Sequence, residues 1–277
     1  DCSYCILQAY FHPPVLQYFY GFDQYTVELE QIFSQDRIYR VGTGEFTDSL
    51  IWEPVSLLPR FLIKRFARQT NSILELKTKT INIDSLLSVA HNRKTILAWS
   101  VNTPFVIKTQ ERGTAGLKAR IKAAARAQAH GYLLAFHFDP MVVYPGCETD
   151  YENVVDLIFE TIDPASVVWI SVGSFRFMPQ LKGIIDQRFP ESAICCGEFI
   201  PGLDGKMRYF KPIRIRLYRR LIQRIYAWST TFPVYFCMED QEVWEKCTGY
   251  FPGQEGELGH ILDQSAAARA GLKKTGL

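Results

Sequence analysis

Thr95-Ile96-Leu97-Ala98-Trp99-Ser100-Val101-Asn102 is an apolar run that ends in polar residues. After it, Gly113 introduces a stretch from Leu117 to Ala129, rich in alanine and arginine and of helical character. A second apolar run, Tyr132 to Phe138, follows at once. Strand, helix and strand in that order make a unit whose two strands lie parallel. The same alternation extends outward from this unit in both directions. On the N-terminal side it includes a strand from Ile38 to Val41 that ends in Gly42-Thr43-Gly44-Glu45, and a helix from Val55 to Arg68 carrying Leu57, Leu58, Phe61, Leu62, Ile63 and Phe66. A strand from Ile73 to Lys79 and a short helix from Ile83 to Ala90 complete that side, with a further short helix around Val27 to Ser34 before it. On the C-terminal side come a helix from Tyr151 to Thr161, a strand from Val167 to Val172 and a helix from Gln180 to Phe189. Five strands alternating with helices predict an α/β fold with a parallel sheet and helices outside it.

The bounds agree with such a fold. At 277 residues the chain can bury a sizeable core, and its apolar and charged fractions are those of a soluble globular protein. No apolar run approaches the ~20 residues of a membrane span, and no signal peptide is visible. The seven cysteines, Cys2, Cys5, Cys147, Cys195, Cys196, Cys237 and Cys247, are odd in number and irregularly spaced. That argues against a disulfide framework and for a reducing compartment, the cytoplasm. A net charge of +2 points to no particular partner.

In parallel sheets, ligands sit at the carboxyl ends of the strands. That rule selects Gly42, Gly44, Glu45, Thr47 and Asp48 after the first run, and Thr78 and Lys79 after the second. It then selects Ser100 and Asn102, His137 and Asp139, and finally Ser171, Ser174 and Arg176. At the N-terminus, Asp1-Cys2-Ser3-Tyr4-Cys5 places two thiols on one small loop. Cys-x-x-Cys suits half a zinc site, a redox dithiol or part of an iron–sulfur loop. The histidines His12, His91, His130, His137 and His260 show no metal spacing. His137, on an apolar strand, reads as a satisfied core histidine. There is no phosphate-cradling P-loop and no nucleophile elbow.

Cys2, Tyr4 and Cys5 fit the last four positions of the Cys-x-x-x-Cys-x-aromatic-Cys motif of radical S-adenosylmethionine enzymes. The first cysteine of that motif is expected three residues before Asp1, outside this chain, and the preceding strand of the sheet with it. Cys2-Ser3-Tyr4-Cys5-Ile6-Leu7-Gln8 resembles the cluster loop of the spore photoproduct lyase family of those enzymes. Thr78-Lys79 with Ile83-Asp84-Ser85-Leu86-Leu87, Trp99-Ser100-Val101-Asn102 and Glu111-Arg112-Gly113-Thr114 resemble further family blocks in the same order. The resemblance implies a partial parallel (β/α) barrel of the radical S-adenosylmethionine type. It also implies a [4Fe–4S] cluster held in part by Cys2 and Cys5, S-adenosylmethionine, and an external electron donor such as a flavodoxin or ferredoxin. Tyr4, Gly42, Gly44, Glu45, Thr47, Lys79, Ser100 and Asn102 are the expected cofactor-binding residues. Glycines there let the backbone approach the cofactor. Glu45 suits its ammonium, and Lys79 resembles the family lysine that pairs with its carboxylate.

The chain departs from the family at one place. Spore photoproduct lyases carry a hydrogen-donating cysteine just after the first strand, where this sequence reads Glu45-Phe46-Thr47-Asp48. Cys195, Cys196 and Cys237 are candidates to replace it, against the plainer reading of free cysteine as a small hydrophobe.

The division expected is a partial barrel over residues 1–190 and a C-terminal extension over 191–277. In the extension, Gly197 to Gly205 reads as a loop over the barrel mouth. Ile213 to Trp228 reads as a helix, Val234 to Met238 as a strand that adds a sixth to the sheet, and Glu239 to Cys247 as a helix with Trp244 inward. From Gly253 onward the composition suggests a loosely attached tail. Lys206, Arg208, Lys211, Arg214, Arg216, Arg219, Arg220 and Arg224, interleaved with Tyr209, Phe210 and Tyr218, form a basic block with no acid from Lys206 to Met238. Arg208, Lys211, Arg214 and Arg216 are its candidate nucleic-acid contacts; the plainer reading is the solvated face of an amphipathic helix.

The expected function is radical chemistry on damaged DNA or a related nucleic acid. The alternatives are the same chemistry on a non-nucleic-acid substrate, and a non-catalytic nucleic-acid-binding protein on the same scaffold. The chain as given, lacking one cluster ligand, is itself expected to be inactive. The sequence leaves the substrate, the hydrogen donor and the oligomeric state open.

Overall fold

The structure is a computed structural model that describes residues 2–10, 18, 20–44 and 47–273. In chain order its elements begin with α1 (Leu7–Tyr10), α2 (Phe22–Phe33), β1 (Tyr39–Gly42), α3 (Leu58–Phe66), β2 (Ser72–Thr78), β3 (Thr95–Ser100), α4 (Pro104–Gln110), α5 (Leu117–Ala129), β4 (Leu133–Met141) and α6 (Cys147–Phe159). They continue with β5 (Val167–Ser174), β6 (Arg176–Phe177), α7 (Pro179–Arg188), β7 (Phe199–Pro201), β8 (Met207–Tyr209), α8 (Lys211–Trp228), β9 (Val234–Phe236), α9 (Gln241–Thr248) and α10 (Glu257–Ala270).

Six strands pair in the order β1-β2-β3-β4-β5-β9, all parallel, and curl into a half-barrel. The registers Ser100↔His137, His137↔Ser171 and Ser171↔Tyr235 carry one row of side chains across four strands on one face. Alternate residues divide between two cores, as the period of a strand requires. Leu74, Leu76, Leu97, Trp99, Phe136 and Val172 face outward against α3, α5, α6 and α8. Ile73, Ile96, Ala98, Leu133, Ala135 and Trp169 face the concave side, where Leu262, Ala266 and Ala270 of α10 cover them. A three-stranded antiparallel sheet, β6-β8-β7, packs with α7 around Phe175, Phe177, Leu181 and Ile185, with Tyr4 against it.

Sequence and structure differ in places that have local causes. Ile83 to Ala90 forms successive turns rather than a helix, with Leu86 N–H donating to the Ile83 carbonyl and Val89 N–H to that of Leu86. Turns spaced by three residues bury Ile83, Leu86 and Val89 on one side, which imitates helical periodicity. Helix α4 was not expected, although Thr103 caps it by accepting from Val106 N–H at 3.3 Å and Pro104 stands at its start. The loop over 197–205 contains β7. Over residues 257–270, where a loose tail was expected, α10 packs against the concave face. Strand β9 joins the six-stranded sheet and α10 packs on it, so the residues after 190 lie against the barrel.

The basic block of α8 has a counterpart on α6. Arg216 meets Glu148 at 3.1 Å, Arg220 meets Glu152 at 2.6 Å and Arg224 meets Asp156 at 2.6 Å. The sequence separation is 68 in each pair, so the two helices lie side by side with matched rungs.

Candidate active site

The Cys2–Cys5 loop is fastened to the segment that ends α4. Cys2 makes an isolated antiparallel bridge with Glu111, and Ser3 N–H donates to the Gln110 carbonyl at 2.9 Å. The loop closes on itself through Cys5 N–H to the Cys2 carbonyl at 3.1 Å, and Gln8 Nε2 donates to the Ser3 carbonyl at 2.8 Å. Side chains repeat the attachment: Ser3 Oγ donates to Gln110, and the Tyr4 hydroxyl donates to the Glu111 carboxylate. Arg120 of α5 holds the other Glu111 oxygen at 2.5 Å, and both side chains are almost wholly buried, at 0% and 1% exposure. The same guanidinium donates to the Ser100 carbonyl at 2.8 Å, to Ala115 at 2.7 Å and to Thr114 Oγ1 at 2.8 Å.

Lys79 follows β2, and its ammonium stands 5.7 Å from the centre of the Tyr4 ring. Burial pushes the Cys2 thiol up, with Lys79 opposing. Burial also pushes Glu111 up, but Lys79, Arg120 and the Tyr4 hydroxyl outweigh it and hold the carboxyl below its usual value. Asp48 shapes the neighbouring strand end, accepting from Thr78 Oγ1 at 2.7 Å and from Lys79 N–H at 2.8 Å. Gly44 is buried where a Cβ would lie 2.9 Å from both Lys77 Cβ and Ser49 Oγ, so only glycine lets the first strand's turn close against β2. Gly42 and Thr47 are exposed at the same end of the sheet, and Glu45 lies outside the described residues. Ser100 is buried at the end of β3.

Asn102 has three partners. Its amide donates to the Pro140 carbonyl at 2.7 Å and its oxygen accepts from Tyr151 at 2.8 Å and from Thr103 N–H at 3.0 Å. It is buried and ties strand ends together.

The concave wall beside this loop is polar. Glu75 reaches from β2 over Ala98 of β3 to His137 Nε2 at 2.8 Å, and Trp169 Nε1 donates to the same carboxylate oxygen at 3.2 Å. At the strand ends, Arg176 forks onto Asp139 at 3.1 and 3.2 Å and donates to Cys237 Sγ at 3.0 Å. Burial raises the Cys237 thiol to about 11 and keeps it protonated at neutral pH. Cys195 is buried in the apolar cluster around α7, and Cys196 is exposed. Of the three candidate thiols, Cys237 is the one joined to the strand-end polar groups.

The four candidate nucleic-acid contacts have intramolecular partners. Arg208 meets Asp204 at 2.6 Å, Lys211 meets Glu242 at 2.7 Å and Asp240 at 3.0 Å, and Arg216 meets Glu148. Arg214 is only 4% exposed, paired with Glu239 at 3.1 Å and donating to the Tyr209 carbonyl at 2.6 Å, so a surface-bound polyanion does not reach it. Sequence reasoning missed the Glu111–Arg120 pair: a helix-borne arginine nine positions from a glutamate carries no signal of its own.

Two thiols on a turn, half-buried beside a lysine, suit two positions of an iron–sulfur site. No group of three or more metal-binding side chains is found among the described residues. No helix among them is long and apolar enough to cross a membrane.

A family model described as spore photoproduct lyase matches residues 1–199. A spore photoproduct lyase of Bacillus subtilis (strain 168) is 28% identical over 210 residues, covering 70% of this chain and 58% of that protein. One of Geobacillus sp. (strain Y412MC61) is 32% identical over 124 residues, 44% of this chain and 36% of that protein. The chain therefore spans less than two thirds of these relatives' length. Among solved structures, a doubly substituted spore photoproduct lyase with bound AdoMet and dinucleoside spore photoproduct aligns over 85% of this chain and 73% of its own, with TM-score 0.79 and 23% identity. A Tyr-to-Phe variant aligns over the same shares with TM-score 0.78 and 23% identity. At that identity the likeness speaks for the fold.

Proposed function

Because the chain belongs to the spore photoproduct lyase family, we propose that it is the core of a cytoplasmic radical S-adenosylmethionine enzyme that acts on damaged DNA. The observation that carries the reading is the Cys2–Cys5 loop fixed beside Lys79 at the carboxyl ends of the strands. A [4Fe–4S] cluster with S-adenosylmethionine supplies, when bound, one-electron cleavage of the sulfonium and hydrogen abstraction from a substrate carbon. Every other part of the task falls to the protein. Cys2 and Cys5 serve as thiolate ligands, and Lys79 offers its charge to the cofactor carboxylate. Gly44 lets the strand end close tightly beside them. The concave wall of Glu75, His137, Asp139 and Arg176 orients a polar substrate, with the helices and α10 keeping water from its floor. Cys237 is the candidate thiol to return hydrogen to the product. An external flavodoxin or ferredoxin supplies the electron.

One observation favours a second reading, the same chemistry on a substrate that is not nucleic acid. The basic residues of α8 are matched by Glu148, Glu152 and Asp156, so they offer less free charge to a phosphate backbone than the sequence suggests.

The test uses the natural full-length chain, purified without oxygen. Iron and sulfide are counted, the protein is reduced, and 5′-deoxyadenosine is measured with Cys5→Ala as control. About four irons per chain and a product lost in the control support the reading. No cluster and no product overturn it. Turnover of lesion-bearing DNA that weakens steeply with salt supports the DNA substrate, and 5′-deoxyadenosine formed without any turnover of lesion-bearing DNA supports the second reading.

A further inference from the structure

Glu111 belongs to a sequence block that resembled the family without having a role, and the structure gives it one. Its backbone pairs with Cys2, one carboxylate oxygen takes the hydroxyl of Tyr4, and the other is held by Arg120 at 2.5 Å. Arg120 in turn grips the Ser100 carbonyl at the end of β3. A continuous chain of polar contacts thus runs from a barrel strand, through a buried ion pair, to the tyrosine between the two cysteines. We propose that Glu111, locked by Arg120, is the positioning residue of the thiolate loop. It sets where the Cys2 and Cys5 sulfurs stand relative to the strand ends, and it fixes a negative charge beside them.

The inference rests on the cluster reading of the loop and adds a residue to it. Three observations separate Glu111 from an ordinary core pair. A buried ion pair contributes little net stability compared with apolar packing, so its presence calls for another use. Both carboxylate oxygens are engaged, and one is engaged by the loop itself. Four contacts of the Arg120 guanidinium, to Ala115, Ser100, Glu111 and Thr114, leave the carboxylate no freedom to turn away. Groups that hold and orient metal ligands tune both the retention and the electronics of the metal.

The test again uses the natural full-length chain, reconstituted without oxygen. Tyr4→Phe removes the hydroxyl and keeps the ring; Glu111→Gln removes the charge and keeps the shape. Three quantities are read: melting temperature of the metal-free protein, rate of iron loss to a chelator, and midpoint potential of the cluster. The expected result is iron loss about 10-fold faster in both variants, with the metal-free Tyr4→Phe protein melting as wild type does. Glu111→Gln should also shift the potential upward, because a nearby negative charge has gone. Wild-type retention and potential in both variants overturn the inference while leaving the cluster reading intact. A wild-type protein that takes up no iron overturns both. If Glu111→Gln does not fold, Tyr4→Phe decides through iron loss.

Discussion

Gly173 lacks a side chain at a place its neighbours already fill. A Cβ there would stand 2.9 Å from Asp139 Cγ and 3.0 Å from Arg176 Nη1, inside the fork that braces the strand ends. Gly173→Ala is therefore expected to cost about 1–3 kcal/mol through overpacking. Gly183, exposed within α7 with nothing near its missing Cβ, makes the contrast. Gly183→Ala is expected to stabilise by about 0.5–1 kcal/mol. Urea midpoints of the two variants measure both effects, and equal midpoints would show that the fork yields freely. At this scale the sequence disclosed donor types but not engagements. Asn102 and Ser100 share a strand end, yet Asn102 is tied up by Pro140, Tyr151 and Thr103, and no spacing in the sequence announces that.

The α6–α8 ladder is an electrostatic device that reads as something else in one dimension. Eight basic residues without an acid among them suggest a polyanion partner, but the acids that meet three of them, Arg216, Arg220 and Arg224, lie 68 positions earlier on a neighbouring helix. Replacing Arg216, Arg220 and Arg224 together with Gln is expected to lower the melting temperature at low salt, and the loss should shrink at high salt because the rungs are exposed. An unchanged melting temperature combined with weakened DNA binding would return the block to its nucleic-acid reading. Elements with strong periodicity were legible: α5 is found where the alanine-rich stretch placed it, and the five strands and the sixth followed. Short or atypical elements were not. Strands β7 and β8 are too brief to show alternation. Helix α10 faces the sheet with Leu262, Ala266 and Ala270, and the two alanines permit close approach but barely register as an apolar stripe.

Across the whole molecule, the polar concave wall makes stability depend on pH. Burial pushes the Glu75 carboxyl up, but His137, Lys77 and the Trp169 N–H outweigh it and hold it below its ordinary 4.5. A carboxyl depressed in the folded state contributes stability that is present above pH 4.5 and is lost as pH falls through the folded value. Denaturant unfolding of wild type and Glu75→Gln from about pH 6 down to about pH 3 should therefore show two curves that converge toward acid. Parallel curves would mean that the contact with His137 contributes no proton linkage. The floor beneath that wall has a consequence in time. Helix α10 is the last of the described elements to leave the ribosome, and its contacts are remote: Arg40 meets Asp263 across 223 residues, and Lys94 reaches Gly271 across 177. Until it docks, the concave apolar face of a nearly complete sheet stands open. Closure of this half-barrel thus waits until α10 has emerged, and the interval before closure is when the nascent chain is most exposed to misassociation.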